Sequence, residues 1–341
     1  MKDTRTEDVK RLYETYPYPY GAGNTEPDYV FAHPMRGYFY MDPLEGWKIL
    51  DAGCGTGHKL VGQAITYPKA RFVGLELSGA SFTVARSLVE KHGLANVELR
   101  HGNILELDAE KEFDFVQSIG VVHHLEDPQR GLDNLSRATK EDGILAVWLY
   151  HPLGEFERLT QRELLLTLWQ HDWKDMEQGQ ALMHELGLDL ELNHYGPRER
   201  DANVLEGNAD AFMHPIVNAY RISEALAMLR AAGNDWAAPD FVNIQGTVRL
   251  VNLGGVSDPF VASFCISEST LLTSPVLQER YRELPRLEQL GVIELTMRPR
   301  GFQILSGRGK SWKKLGARLR GNVLELGEPL AAPSRDERGL S

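Results

Sequence analysis

The chain has 341 residues, 42% of them hydrophobic and 25% charged, the make-up of a globular protein large enough to bury a core without covalent staples. Two cysteines, Cys54 and Cys265, make no disulfide framework and fit a reducing, cytoplasmic setting. A formal charge of −11 argues against a general nucleic-acid binder, and no apolar run approaches the roughly 18 residues a membrane-crossing helix requires.

Residues 1–45 form an aromatic-rich lead-in whose start, Met1–Asp8, lacks the apolar core of a signal peptide. Within it, Tyr13-Glu14-Thr15-Tyr16-Pro17-Tyr18-Pro19-Tyr20-Gly21 alternates tyrosine with proline, which holds the backbone extended and excludes a buried amphipathic helix. This stiff strap either packs on the flank of the following domain or folds over a pocket, with Tyr16 and Tyr20 turned inward. Arg36 is the one lysine or arginine between Arg11 and Lys48.

Residues 46–153 alternate short apolar strands with helical patterns, which predicts a parallel sheet covered by helices on both faces. Strands are expected at Lys48–Ala52, Arg71–Leu75, Val97–His101, Phe113–Ser118 and Ile144–Tyr150, and helices at His58–Thr66, Gly79–His92 and Gln129–Thr139. Residues 154–215 break the rhythm with two Leu/Trp-rich helical pieces, Glu155–Gln170 and Lys174–Leu186. The rhythm resumes in 216–270, with a helix at Ser223–Ala232 stopped by Gly233 and strands at Asp240–Gln245 and Pro259–Ser267. From 271 to 341 the pattern predicts an extension with one helix, Val276–Gln289, and a disordered tail after Gly321. The extension also holds eight basic residues and no acid between Met297 and Leu324, so the rest of the chain carries −11 − 8 = −19. Such a run is read as a solvated tail or as a local site for an acidic partner.

The most informative segment is Ile49-Leu50-Asp51-Ala52-Gly53-Cys54-Gly55-Thr56-Gly57, an apolar strand running into a glycine-rich turn with a helix behind it. Glycine permits the sharp turn and close approach to a ligand that residues bearing a Cβ do not. The next strand ends at Glu76, 19 residues after Gly57, where a carboxylate can accept both hydroxyls of a ribose. The spacing is G-x-G-x-G, with His58 where a dinucleotide-binding fingerprint has its third glycine.

Here the sequence resembles the class I, Rossmann-like S-adenosylmethionine-dependent methyltransferases, whose first motif reads D-x-G-x-G-x-G. The resemblance continues through His101-Gly102-Asn103-Ile104, through Phe113–Pro128 with its Val121-Val122-His123-His124-Leu125-Glu126-Asp127-Pro128, through Glu141-Asp142-Gly143, and through Tyr220–Gly233. It covers about half the chain. It implies a doubly wound α/β fold with a seven-stranded, mostly parallel sheet, a helical insertion at 154–215 serving as an acceptor cap, and S-adenosyl-L-methionine as cofactor. The residues implied around that cofactor are Asp51, Gly53, Cys54, Gly55, Gly57, Glu76, Leu77, Asn103, Ile104, Ser118, Ile119 and Gly120. Arg36 would pair with the methionine carboxylate. Asn103 stands where the family has an acid, and its amide oxygen can still accept from the adenine amine.

The methyl acceptor is less legible. The loop after the fourth strand faces the methyl group in this family, so His123 is the candidate for orienting or deprotonating the acceptor, with Tyr16, Tyr20, Tyr150 and His214 as further pocket residues. Cys54 occupies the variable slot of the glycine turn and lacks a base, so a nucleophilic role is not expected. The scattered histidines show no metal-ligand spacing. Ser118-Ile119-Gly120-Val121 replaces the N/D-P-P-Y/F motif of enzymes that methylate nucleobase amines. That tilts the reading toward a small-molecule acceptor. A protein side chain or RNA reached through 298–320 is the alternative, as is a non-catalytic cofactor-binding role.

Overall fold

The computed structural model describes residues 4–20, 24–29, 38, 44–188, 204–244, 246–256 and 258–327. Arg36 and the tail from 328 onward lie outside the described residues.

Five parallel strands form half of the sheet: β1 (Lys48–Ala52), β2 (Arg71–Glu76), β3 (Val97–His101), β4 (Phe113–Ile119) and β5 (Thr139–Tyr150). Their order is β3-β2-β1-β4-β5, so the direction of winding reverses between β1 and β4. Ligand crevices of doubly wound sheets open at that reversal, outside the carboxyl ends of the strands. Three helices follow their strands as expected: α1 (Thr4–Thr15) precedes the sheet, and α2 (His58–Thr66), α3 (Gly79–Lys91) and α4 (Pro128–Ala138) alternate with its strands. The helix α1 runs through Tyr13 to Thr15 in the segment expected to be extended. Only from Pro17 onward does proline forbid helix.

An antiparallel flank completes the sheet with β6 (Trp236–Ile244), β7 (Thr247–Leu250), β8 (Gly301–Gly307) and β9 (Leu324–Glu325). Nine strands therefore replace the seven expected. The strand inserted between β5 and β6 is β8, from the segment read as extension, so 271–341 is not separate from the sheet. The expected strand Pro259–Ser267 is instead a short helix, Pro259–Phe264, because Asp258 caps it by accepting from Phe260 N and Val261 N and proline occupies its first turn. The single helix expected at Val276–Gln289 is broken at Pro285 into Pro275–Glu283 and Arg286–Met297.

The basic run is likewise built into the fold. Buried β8 lies inside it, and the Arg308 guanidinium donates to Ser136 O at 2.8 Å. Lys314 Nζ meets Asp142 Oδ2 at 2.7 Å, and Arg318 pairs with Asp240 in the interior. These cations are occupied in holding the antiparallel flank on the sheet, which removes the solvated-tail reading for them.

One apolar cluster covers one face of the sheet with Leu132 and Leu135 of α4, and another covers the opposite face with Leu60 and Ala64 of α2. A third, separate cluster joins Leu12 of α1 to α5 (Pro152–Trp169), α6 (Met176–Glu185) and the segment Ala209–Met213. The insertion therefore buries its own face against the amino-terminal helix, above the carboxyl ends of the strands. Among the described residues no helix is long and apolar enough to cross a membrane.

Candidate functional site

The glycine turn is pinned at both ends before any ligand arrives. Gly53 N and Cys54 N donate to Leu75 O at 2.8 and 3.1 Å, and Gly55 N donates to Glu76 Oε2 at 2.9 Å. The other oxygen of Glu76 accepts from Ser78 N at 2.8 Å, at the start of α3. Each carboxylate oxygen has two lone pairs, so Glu76 keeps acceptor capacity toward the cleft it lines. Burial pushes its carboxyl pKa up, against the pull of the Ser78, Gly55 and Leu77 amides.

The strap closes over this turn. Thr56 N donates to Tyr18 O at 3.0 Å, and a Cβ on Gly55, whose φ is +56°, would lie 2.5 Å from the same carbonyl. Only glycine satisfies both the left-handed backbone and that contact. Gly55→Ala is accordingly expected to displace the strap and to lower affinity for S-adenosylhomocysteine at least tenfold, as read by calorimetry. The lead-in is held on the far side by Glu14, whose oxygens accept from Gly79 N at 2.6 Å and Ala80 N at 3.0 Å, the free amides of the first turn of α3.

Between turn and strap lies a cleft lined by both. Of the residues expected around a cofactor, Asp51, Gly53, Cys54, Gly55, Glu76, Leu77, Asn103, Ile104, Ile119 and Gly120 line it. Gly57 and Ser118 do not. Gly57 turns away to let α2 approach Ala85 of α3, where a Cβ would come within 2.7 Å, and Ser118 Oγ donates to Ala52 O at 3.0 Å, tying β4 to β1. Asn103 Oδ1 accepts from Leu105 N at 2.9 Å, which fixes its amide at the cleft wall. Burial pushes the Cys54 thiol well up, so it is no nucleophile.

The acceptor residues expected from sequence fall elsewhere. None of His123, Tyr16, Tyr20, Tyr150 and His214 lines the cleft. Tyr16 packs on the apolar cluster of the insertion, and Tyr20 donates its hydroxyl to Asp28 Oδ2 at 3.1 Å. His123 is wholly buried with its ring 4.0 Å from that of Tyr150, and His214 is stacked on His124 at 3.8 Å. These three rings form the layer behind the wall. The histidine on the wall is His124, whose Nδ1 bonds Ile216 O at 2.7 Å. Adjacent residues on the short turn Val122–His124 point in different directions, and sequence alone could not say which faces the ligand. Burial pushes the His124 pKa down to about 3, so its imidazole is neutral at physiological pH.

Tyr13, Tyr18, Lys59 and Gln117 also line the cleft and were missed. Lys59 had a legible signal, since it stands in the first turn of the helix that follows the glycine loop. Tyr13 and Tyr18 belong to the strap already singled out, but which tyrosines turn inward depends on where the helix of the lead-in stops. Asp51 sits at the same end as Lys59. Burial pushes its pKa up to about 6, against the pull of Lys59 and the Gln117 amide.

A family described as "Methyltransferase domain" matches residues 44–194. An uncharacterized protein of Synechococcus is 29% identical over 63% of this chain and 55% of its own length. A ubiquinone biosynthesis O-methyltransferase of Azorhizobium caulinodans is 33% identical over 34% of this chain and 44% of its own. The structure of PKMT2 from Rickettsia typhi in complex with AdoHcy superposes with a TM-score of 0.52 at 19% identity, covering 86% of this chain and 55% of that one, which shows the shared fold. This chain spans about half the length of these relatives. Residues 44–194 thus match a methyltransferase-domain family, and the winding of the sheet around the glycine turn is the fold of the class I S-adenosylmethionine-dependent methyltransferases.

Proposed function

We propose that this chain transfers a methyl group from S-adenosylmethionine to a small-molecule acceptor. The observation that carries the reading is Glu76, fixed at the cleft wall by backbone amides with acceptor capacity left toward the cleft for a ribose hydroxyl. Beside it, Asn103 and Ile104 stand where an adenine would lie, one offering amide groups and the other an apolar surface. At the opposite end, Lys59 complements a carboxylate and Asp51 an ammonium, a charge pattern that fits the methionine zwitterion. When bound, that cofactor supplies an electrophilic methyl carbon on sulfur. The remaining work falls to alignment and exclusion of water, and the strap of Tyr18 and Pro19 over the glycine turn serves the second.

The small-molecule reading rests on a cleft roofed by its own chain and on the likeness to an O-methyltransferase of ubiquinone biosynthesis. The engagement of Arg308, Lys314 and Arg318 inside the fold weakens the case for an RNA or acidic protein docking through 298–320. Titration calorimetry with S-adenosylmethionine, S-adenosylhomocysteine and NAD decides the cofactor: heat from the first two alone supports the reading, and heat from NAD alone ends it.

Asp51 gives that measurement a pH dependence. Only its ionised form attracts an ammonium, so affinity for S-adenosylhomocysteine should rise as pH increases through about 6 and level off above. Asp51→Asn should flatten this limb. A pH-independent wild type between 5 and 8 would remove Asp51 from the zwitterion site.

A further inference from the structure

Beyond the cofactor residues, the cleft ends in a wall made by Val9, Tyr13, Tyr18, His124 and Leu125, with no charged side chain among the described lining residues there. Asp51, Lys59 and Glu76, the charges that do line the cleft, are taken up by the cofactor reading on which this inference rests.

Behind that wall stands a buried carboxylate, Asp210. Tyr13 donates its hydroxyl to Asp210 Oδ1 at 2.7 Å, across 197 residues of sequence. Asp210 is 5% exposed and lies in Ala209–Met213, a turn of π-helix, an uncommon geometry found disproportionately at functional sites. Tyr13 is held in place from three sides: Ser78 Oγ donates to its carbonyl at 3.0 Å, Glu14 beside it caps α3, and its ring lies 5.6 Å from that of His214. Packing alone would not demand an ionisable group at position 210. Burial raises the pKa of Asp210, against the pull of Tyr13, Arg158 and Lys59, and raises that of Tyr13 well above its ordinary value. The pair is thus a neutral phenol in front of a carboxylate that burial has made a stronger base.

We propose that Tyr13 and Asp210 form the proton-accepting pair of the acceptor site, and that the acceptor is a small uncharged molecule attacking through an O–H or N–H group. Tyr13 touches the acceptor; Asp210 acts through it. As the attacking atom gains its bond to the methyl carbon and the carbon–sulfur bond breaks, its proton passes to Tyr13 Oη while the phenolic proton of Tyr13 passes to Asp210 Oδ1. Charge and proton count balance: the cationic sulfur leaves neutral, and the carboxylate becomes a carboxylic acid. His124 is ill suited to this task, since burial keeps its imidazole a feeble base.

The test is a panel assay with methyl-labelled S-adenosylmethionine and phenols, catechols and aromatic amines, set against thioethers and tertiary amines whose attacking atoms carry no proton. The expected products come from the first group. With the best substrate, Tyr13→Phe should lower kcat about 100-fold, the usual scale of one general-base contribution, with calorimetric affinity for S-adenosylhomocysteine within twofold of wild type. In the wild type, kcat should fall as pH drops through the raised Asp210 pKa, and Asp210→Asn should abolish that limb. Should Asp210→Asn fail to fold, the wild-type pH profile and Tyr13→Phe still decide the matter. Products from the proton-free group only, no product from any member while S-adenosylhomocysteine binds, or a Tyr13→Phe enzyme retaining more than half its kcat would each overturn the proposal. Absence of S-adenosylhomocysteine binding in the wild type would instead sink the cofactor reading.

Discussion

Glu76→Ala is expected to weaken S-adenosylhomocysteine binding by about 3 kcal/mol, or roughly 100-fold and more, the worth of one or two hydrogen bonds to a charged acceptor. Two losses combine. The hydroxyls of the bound ribose lose their acceptor, and Gly55 N and Ser78 N lose the carboxylate that holds the glycine turn against α3. Glu76→Gln separates the two poorly but informatively, because one of its terminal atoms becomes a donor facing a backbone N–H. It should lose most of the same affinity and also lower the melting temperature, since one of the two buried amides is left unpaired. Calorimetry on purified variants reads both. Affinity within threefold of wild type for Glu76→Ala would show that the sugar lies elsewhere.

The second large effect concerns stability and lies at Glu294, on the helix Arg286–Met297. This carboxylate is 3% exposed and accepts from His151 Nε2 at 2.7 Å, Ile222 N at 2.6 Å and Arg221 Nη2 at 2.8 Å. It joins the end of β5, the start of the helix Ile222–Ala231 and the carboxyl-terminal region at one point. Glu294→Ala leaves His151 Nε2 and the Ile222 amide buried without a partner and takes the ion-pair partner from Arg221. Removing one member of such a cluster costs about 3–5 kcal/mol. The urea midpoint should fall while the slope stays constant. Burial alone would raise the Glu294 pKa, but the three donors hold it below the ordinary carboxylate value. Its stabilisation is therefore complete above the usual glutamate range and lost as pH falls through the depressed folded value. Acid unfolding of Glu294→Gln should show a weaker pH dependence than wild type. An unchanged urea midpoint for Glu294→Ala would mean that the cluster adds nothing net.

Much of the cofactor half was readable from local chemistry. The strand–turn–helix around Gly53–Gly57 and the acid at Glu76 lie within one βαβ unit, where short-range backbone demands leave few alternatives. The parallel strands β1 to β4 were each found within one residue of their expected start and end, since apolar runs bounded by turns carry their own punctuation, whereas β5 begins five residues earlier than expected, at Thr139. The antiparallel flank was not readable. Strand β8 is buried at every position, so it has no alternation, and it sits in a basic run of which Lys314 and Arg318 pair with Asp142 and Asp240, far away in sequence. Pro259–Ser267 carried β-forming residues, yet the Asp258 cap decided it for helix.

The acceptor side shows the same division more sharply. Local sequence placed a tyrosine-rich strap ahead of the sheet and a histidine pair after β4, because proline geometry and motif spacing act over a few residues. Which of those rings lines the cleft was decided by packing: α1 docks on the insertion, His124 takes the wall and His123 the layer behind, and Tyr13 comes to face Asp210. Backbone propensities act between neighbours and are written in the chain. The juxtaposition of residues 13, 124 and 210 arises only after hydrophobic burial has brought distant segments together, and only the folded structure carries that information.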